Sequence, residues 1–217
     1  MVKEGFWYGL PLLLISGGLI GFGLYGLGAF FLLLTAFVLN FFRDPERIIP
    51  TDPCAIVSPA DGRVVEVREE LFEGRPVRRV SIFMSPLDVH VNRAPIAGTI
   101  LAIAYKKGSF QMASNAAASL ENEQNVFTIS GPQGVIVVKQ IAGLLARRIV
   151  FWKKQGDGLA RGERVGLIKF GSRADVMMEP RVEIRVKVGD HVRAGSSILG
   201  MTPVEVEADV ARIAVEA

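Results

Sequence analysis

Residues Phe6 to Phe42 form a block of 37 residues without one charged side chain. A helix needs about 20 apolar residues to span a hydrocarbon core of about 30 Å. The block is too long for one span and just long enough for two short ones. Gly17, Gly18, Gly21, Gly23, Gly26 and Gly28 cluster in its middle, where a hairpin would turn. Phe6, Trp7 and Tyr8 at one edge, and Phe41 and Phe42 at the other, stand where interfacial aromatics would. Lys3 precedes the block and Arg43 and Arg47 follow it, so both ends are expected on the cytoplasmic side. A signal peptide would be shorter and would show a small-residue cleavage site. The expectation is a membrane anchor over 1–42, a transmembrane helical hairpin, with the remaining chain on the cytoplasmic face of the cell membrane. One long tilted or bent segment is the alternative.

Residues 43–217 suffice for one domain with a real core. Within Ile56 to Val67, Val65 and Val67 alternate with polar neighbours, as a strand would, and Asp61-Gly62 is a turn signal ahead of it. Further strands are expected at 79–84, 96–105, 149–152, 165–170, 174–178, 181–188 and 197–201. Val126–Ile129 and Val135–Ile141 read as a hairpin around Gly131-Pro132-Gln133-Gly134. Residues 106–125 read as a long loop, of a length that is often functional. Helix-period stretches are scarce here, so the fold class is mainly β, a single β-rich sandwich or barrel.

The net charge of +3 suits an anionic membrane surface. No basic-aromatic cluster points to nucleic acid. The single cysteine, Cys54, excludes an internal disulfide and a cysteine-based zinc site, and it reads as a small buried residue. No metal is expected.

Gly-Ser occurs at Gly108-Ser109, Gly171-Ser172 and Gly195-Ser196. Each is a turn on local chemistry alone. Context singles out Ser172, which follows Lys169-Phe170-Gly171 between two strand-like runs. Glycine permits backbone angles that other residues avoid. Attack by the Ser172 hydroxyl on the Gly171 carbonyl would turn the amide into an ester. Elimination and hydrolysis would then leave a pyruvoyl group, and the serine needs a nearby base. His90 is one of two histidines and lies among Asp88, Asn92 and Arg93, which favours a site. His191 sits in a Gly-Asp turn and is expected to be exposed and inert. Arg147 and Arg148 are either a solvated face or an anion site.

Ser58-Pro59-Ala60-Asp61-Gly62, Ser85-Pro86-Leu87-Asp88-Val89-His90 and Lys169-Phe170-Gly171-Ser172 occur in this order. With the N-terminal block they resemble the phosphatidylserine decarboxylases, in particular the short bacterial and archaeal form. Gln140-Ile141-Ala142-Gly143, Ala146-Arg147-Arg148 and Arg161-Gly162-Glu163-Arg164 carry the same resemblance. It implies cleavage at Gly171-Ser172 into a β chain of residues 1–171 and an α chain of residues 172–217, which stay associated. Ser172 would become the pyruvoyl cofactor and form a Schiff base with the amine of a serine phospholipid in the membrane. Phosphatidylserine and an ether-linked archaeal serine lipid are equal candidates on chemistry. Asp61 and His90 match the acidic and first-histidine positions of the family, and Arg93 stands where long forms carry a second histidine. His90 serves decarboxylation, cleavage or both, and is the candidate proton donor because a histidine pKa lies near working pH. Asp61 is expected to orient or charge-balance a base near Ser172. Arg147, Arg148 and Arg173 are candidates for the lipid phosphate. The sequence leaves an oligomer open.

The run Val186 to Gly200 also resembles the closing half of biotinyl and lipoyl carrier domains. A rival reading is a membrane-tethered carrier or adaptor without self-cleavage. Such carriers present a modified lysine on a hairpin, and no lysine here has that setting.

Overall fold

In the computed structural model, residues 1–108, 122–143, 149–169 and 172–203 are described. Two helices, α1 (Lys3–Gly21) and α2 (Tyr25–Phe41), come first. They pack as an antiparallel hairpin whose turn contains Gly23 at φ +78°. Small residues let the helices approach closely. A Cβ at Gly28 would lie 2.4 Å from the Ile20 side chain, and the Ser16 hydroxyl donates to the Gly28 carbonyl at 2.8 Å. At the open end the Val2 amide donates to the Phe42 carbonyl at 3.1 Å, so both ends of the hairpin lie together. Most of its large apolar side chains are exposed, among them Trp7, Leu14, Phe22 and Leu33. No helix among the described residues is long and apolar enough to cross a membrane. At 1.5 Å per residue the two helices are about 28 and 26 Å long, a little under a hydrocarbon core.

The rest is mainly β. The strands are β1 (Ala55–Val57), β2 (Gly62–Phe72), β3 (Arg75–Met84), β4 (Val91–Arg93), β5 (Gly98–Lys106), β6 (Gln124–Gly131) and β7 (Gly134–Ala142). There follow β8 (Ile149–Phe151), β9 (Gly158–Leu159), β10 (Arg164–Ile168), β11 (Ser172–Met178), β12 (Glu183–Ile184), β13 (His191–Val192) and β14 (Ile198–Met201). One antiparallel sheet of eight strands runs β13-β2-β3-β11-β7-β6-β5-β9, and two small sheets run β4-β10-β8 and β1-β14-β12. Ile56, Ile82, Phe127, Val165, Val176 and Leu199, drawn from all three sheets, share one buried core. The sheets thus meet as layers around a single interior. Gly62 starts β2 where no side chain fits, because a Cβ there would lie 2.1 Å from the Phe83 carbonyl oxygen.

Two expectations are corrected. Of 181–188 only Glu183–Ile184 forms a strand, although Val182 is buried and Ile184 and Val186 pack on the core. The period-2 pattern there reports burial rather than a long ladder. Cys54 is half-buried, with a free thiol.

The hairpin does not stand apart from the β domain. Val38, Phe41 and Phe42 pack with Val89, Val91 and Leu167 in a second buried cluster. The segment leaving the hairpin is also pinned by charge. Asp44 pairs with Arg93 at 2.9 Å and with Arg164 at 2.5 Å, and Arg47 pairs with Asp61 at 2.8 Å.

Candidate active site

Ser172 opens β11 near the middle of the large sheet. It stands opposite Met84 of β3 on one side and Ala142 of β7 on the other. It is fully buried, and its hydroxyl donates to the Met84 sulfur at 3.2 Å. A thioether is a weak acceptor, so the hydroxyl is held without a strong partner. Of the other expected site residues, Gly171, Arg147 and Arg148 lie outside the described residues, as do Ser109 and most of the 106–125 loop. Ser196 is in a turn, with its amide donating to the Arg193 carbonyl at 3.1 Å.

Alternation along β11 sends Ser172, Ala174 and Val176 to the core and Arg173 and Asp175 to the other face. There the Arg173 guanidinium donates to Asp175 at 2.6 Å, Glu66 at 3.0 Å and Ser81 at 2.7 Å. With only 2% of its surface exposed, Arg173 is a buried network residue and not open to a lipid phosphate, which corrects that expectation. Arg79 shares both acids, at 2.9 Å to Glu66 and 3.4 Å to Asp175, so they keep one cation if Arg173 is lost and the cost falls below the about 3–5 kcal/mol of an isolated buried pair. Arg173→Ala is expected to lower unfolding stability by about 1–3 kcal/mol, read by denaturant titration of the uncut chain.

The stretch Ser85 to Asp88 folds into a tight turn. The Asp88 carboxylate accepts from the Ser85 amide at 2.8 Å, and the Asp88 amide donates to the Ser85 carbonyl at 2.9 Å. The turn aims the Asp88 carbonyl at His90 Nδ1, 3.0 Å away. A carbonyl only accepts, so Nδ1 carries the proton and Nε2 keeps its lone pair. Among the described residues Nε2 is buried without a hydrogen-bond partner. The ring lies 4.1 Å from that of Phe41, and burial lowers the His90 pKa to about 4, with the Arg43 charge adding to the effect. His90 is therefore a neutral imidazole with an open acceptor. Its own carbonyl accepts from the Ile168 amide at 3.3 Å, which ties it to the chain four residues ahead of Ser172.

Asn92 lies two residues on, in β4, and is buried. Its Nδ2 reaches the Pro59 carbonyl at 3.3 Å and the Met84 sulfur at 3.9 Å. Gln140 donates to Asn92 at 2.8 Å and accepts from Asn125 at 2.9 Å. This buried amide chain ends on the sulfur that holds the Ser172 hydroxyl. Sequence reasoning named Gln140 only within a motif, gave it no site role and missed Asn125, although a glutamine at a core position of an alternating strand was a usable signal.

Asp61 does not orient His90 here. Its carboxylate accepts from Arg47 at 2.8 and 3.0 Å and from the Ala194 amide at 2.8 Å. Arg93 is likewise a clamp, donating to Gly162 and Pro45 carbonyls and to Asp44. His191 is exposed, 3.2 Å from an Arg63 nitrogen. Asp61→Ala is expected to block cleavage by loosening this corner, and Arg47→Ala should block it to a similar extent. A gel of both variants checks this. Loss with Asp61→Ala alone would return Asp61 to a direct role.

A buried hydroxyl at a strand start, with a neutral imidazole just ahead of β4, fits a class of enzyme that makes its electrophile from its own chain. A family model described as Phosphatidylserine decarboxylase matches residues 34–200. A "Phosphatidylserine decarboxylase proenzyme" of Solibacter usitatus is 51% identical over 200 residues, covering 92% of this chain and 95% of the relative. One of Carboxydothermus hydrogenoformans is 44% identical over 206 residues, at 92% and 95% coverage. One of Salinibacter ruber is 49% identical over 174 residues, 77% of each chain. The chain belongs to the phosphatidylserine decarboxylase family.

Proposed function

We propose that the chain cuts itself between Gly171 and Ser172 and then decarboxylates phosphatidylserine to phosphatidylethanolamine and CO2, using a pyruvoyl group made from Ser172. The names of its relatives carry both the substrate and the precursor state. The observation that carries the reading is the fully buried Ser172 hydroxyl on the Met84 sulfur, in a fold that keeps His90 neutral with, among the described residues, no partner on Nε2. Brought within hydrogen-bond reach of the Ser172 hydroxyl, that nitrogen would take the serine proton as general base. The pyruvoyl carbonyl supplies an electron sink for the charge left by CO2, the part pyridoxal phosphate plays elsewhere. The residues present fit such a group. Ser172 starts a strand paired on both edges, so a new chain end there stays in the core. The same pairing supports lasting association of chains 1–171 and 172–217.

The hairpin supports a membrane location. Its apolar side chains face outward, and an exposed apolar surface of this size marks a membrane or partner site. Lys3, Arg43 and Arg47 lie toward its open end, which favours the β domain on the cytoplasmic face of the cell membrane. Intact mass of the purified protein tests the central claim. Two fragments are expected, 1–171 and 172–217, the second with a blocked N-terminus. One unmodified full-length species in active protein would overturn it.

A further inference from the structure

Between α1 and α2 runs an apolar groove of about 340 Å³ lined by Trp7, Tyr8, Leu12, Leu34, Val38 and Phe42. That volume is typical of small-ligand pockets. One end lies at the base of the hairpin, where Phe42 stacks on Tyr8 at 5.6 Å and meets Phe41 edge-on at 5.0 Å. Phe41 in turn covers His90. From Phe42 to Leu34 the groove follows about 12 Å of helix. At its base stands Lys169, just past the end of β10. Its ammonium donates to the Tyr8 hydroxyl at 3.2 Å and lies 5.1 Å from the centre of the Tyr8 ring. Among the described residues no carboxylate pairs with it. Lys169 is three residues from Ser172, a reach of at most about 11 Å.

We infer that this groove and Lys169 form the lipid subsite, with one acyl chain of the substrate between α1 and α2 and its phosphate on Lys169. The inference rests on the decarboxylase reading. Two features select the occupant. The groove ends on Phe42, which packs on Phe41 and through it on His90, so a chain lying in it ends one ring away from that histidine. The cation at its mouth complements a phosphodiester, and a lysine binds phosphate as a point charge. The headgroup between phosphate and serine amine is short, so the phosphate must bind within a few residues of Ser172. Arg173, facing away in its buried network, does not fill that place. A lipid moving from bilayer to groove exchanges one apolar environment for another. The groove therefore positions bilayer substrate and adds affinity mainly for dispersed substrate, by up to about fourfold per buried methylene.

The uncut Ser172→Ala chain tests binding without turnover. In nonionic-detergent micelles it is labelled with phosphatidylserine carrying a photoreactive acyl chain, and dioctanoyl phosphatidylserine competes. Saturable labelling of Leu12, Leu34 and Val38 is expected. Lys169→Gln should raise the half-competing concentration about tenfold or more, and Lys169→Arg should largely restore it. In the processed enzyme, Leu34→Trp fills the groove. It should lower the kcat/KM ratio of dioctanoyl phosphatidylserine to glycerophosphoserine at least tenfold. Unsaturable labelling spread over outward residues such as Leu14 and Leu33 would overturn the subsite, leaving the groove an ordinary lipid contact. So would a ratio unmoved by Leu34→Trp, or half-competition unmoved by Lys169→Gln. A chain that never cleaves would defeat the decarboxylase reading, while the labelling would still report on the groove.

Discussion

Ser172→Ala is expected to give one uncut chain of 217 residues that releases no CO2 from phosphatidylserine. The variant lacks both the nucleophile and the atoms from which the ketone is made. Its fold should survive. Position 172 is fully buried between β3 and β7, and alanine removes only a hydroxyl whose bond to the Met84 sulfur is weak. Ladder bonds along β11 come from the backbone and persist. Circular dichroism should therefore match the parent while a denaturing gel shows one band. Ser196→Ala is the control, because Ser196 lies in an ordinary turn, and it should cleave normally. Cleavage blocked by Ser196→Ala and spared by Ser172→Ala would assign the wrong serine.

Much of the β domain was legible because its strands bury one face and alternate. The hairpin β6–β7 is announced by Gly131-Pro132-Gln133-Gly134, and β2 starts at the glycine after Asp61. Two things were not legible. Strand partners of high sequence separation cannot be read from period-2 patterns, so nothing local told that Ser172 would face Met84, 88 residues earlier. Charge partners are equally non-local. Asp61 and Arg173 stand in motifs that invite a catalytic or phosphate role, yet they close ion pairs with Arg47 and Glu66. The hairpin was legible as apolar, but not its packing on the strand beside His90. Phe41 and Phe42 read as interfacial aromatics and turn out to be buried.

His90 separates the two reactions. Cleavage happens once and can be slow, so water can partly replace a lost base over hours. Decarboxylation must turn over, and losing a positioned acid–base group lowers each turnover by roughly 10²–10⁴-fold. His90→Ala is therefore expected to cleave in part, with the cleaved fraction nearly inactive. Activity per cleaved molecule, from gel and CO2 release together, measures this. Near-normal turnover in cleaved His90→Ala would remove His90 from the reaction. The pH dependence follows from the same geometry. With its pKa lowered to about 4, His90 is neutral throughout the physiological range. Only about one molecule in a thousand would hold the imidazolium at pH 7, so any proton it delivers is one it has just accepted. Its contribution to cleavage should stay level from pH 8 to 6 and fall as pH drops toward 4. An ordinary histidine would instead lose half its effect near 6.5. Stability moves in the same direction. The folded state holds His90 neutral, while the unfolded state takes up a proton below about 6.5. The contribution is thus complete above that pH and lost as pH falls to about 4, by up to about 3 kcal/mol. Denaturant titration of uncut Ser172→Ala at pH 7 and pH 5 should show this slope, and adding His90→Gln should flatten it. An unchanged slope would mean that His90 is not held neutral, and the base for Ser172 would have to be sought elsewhere.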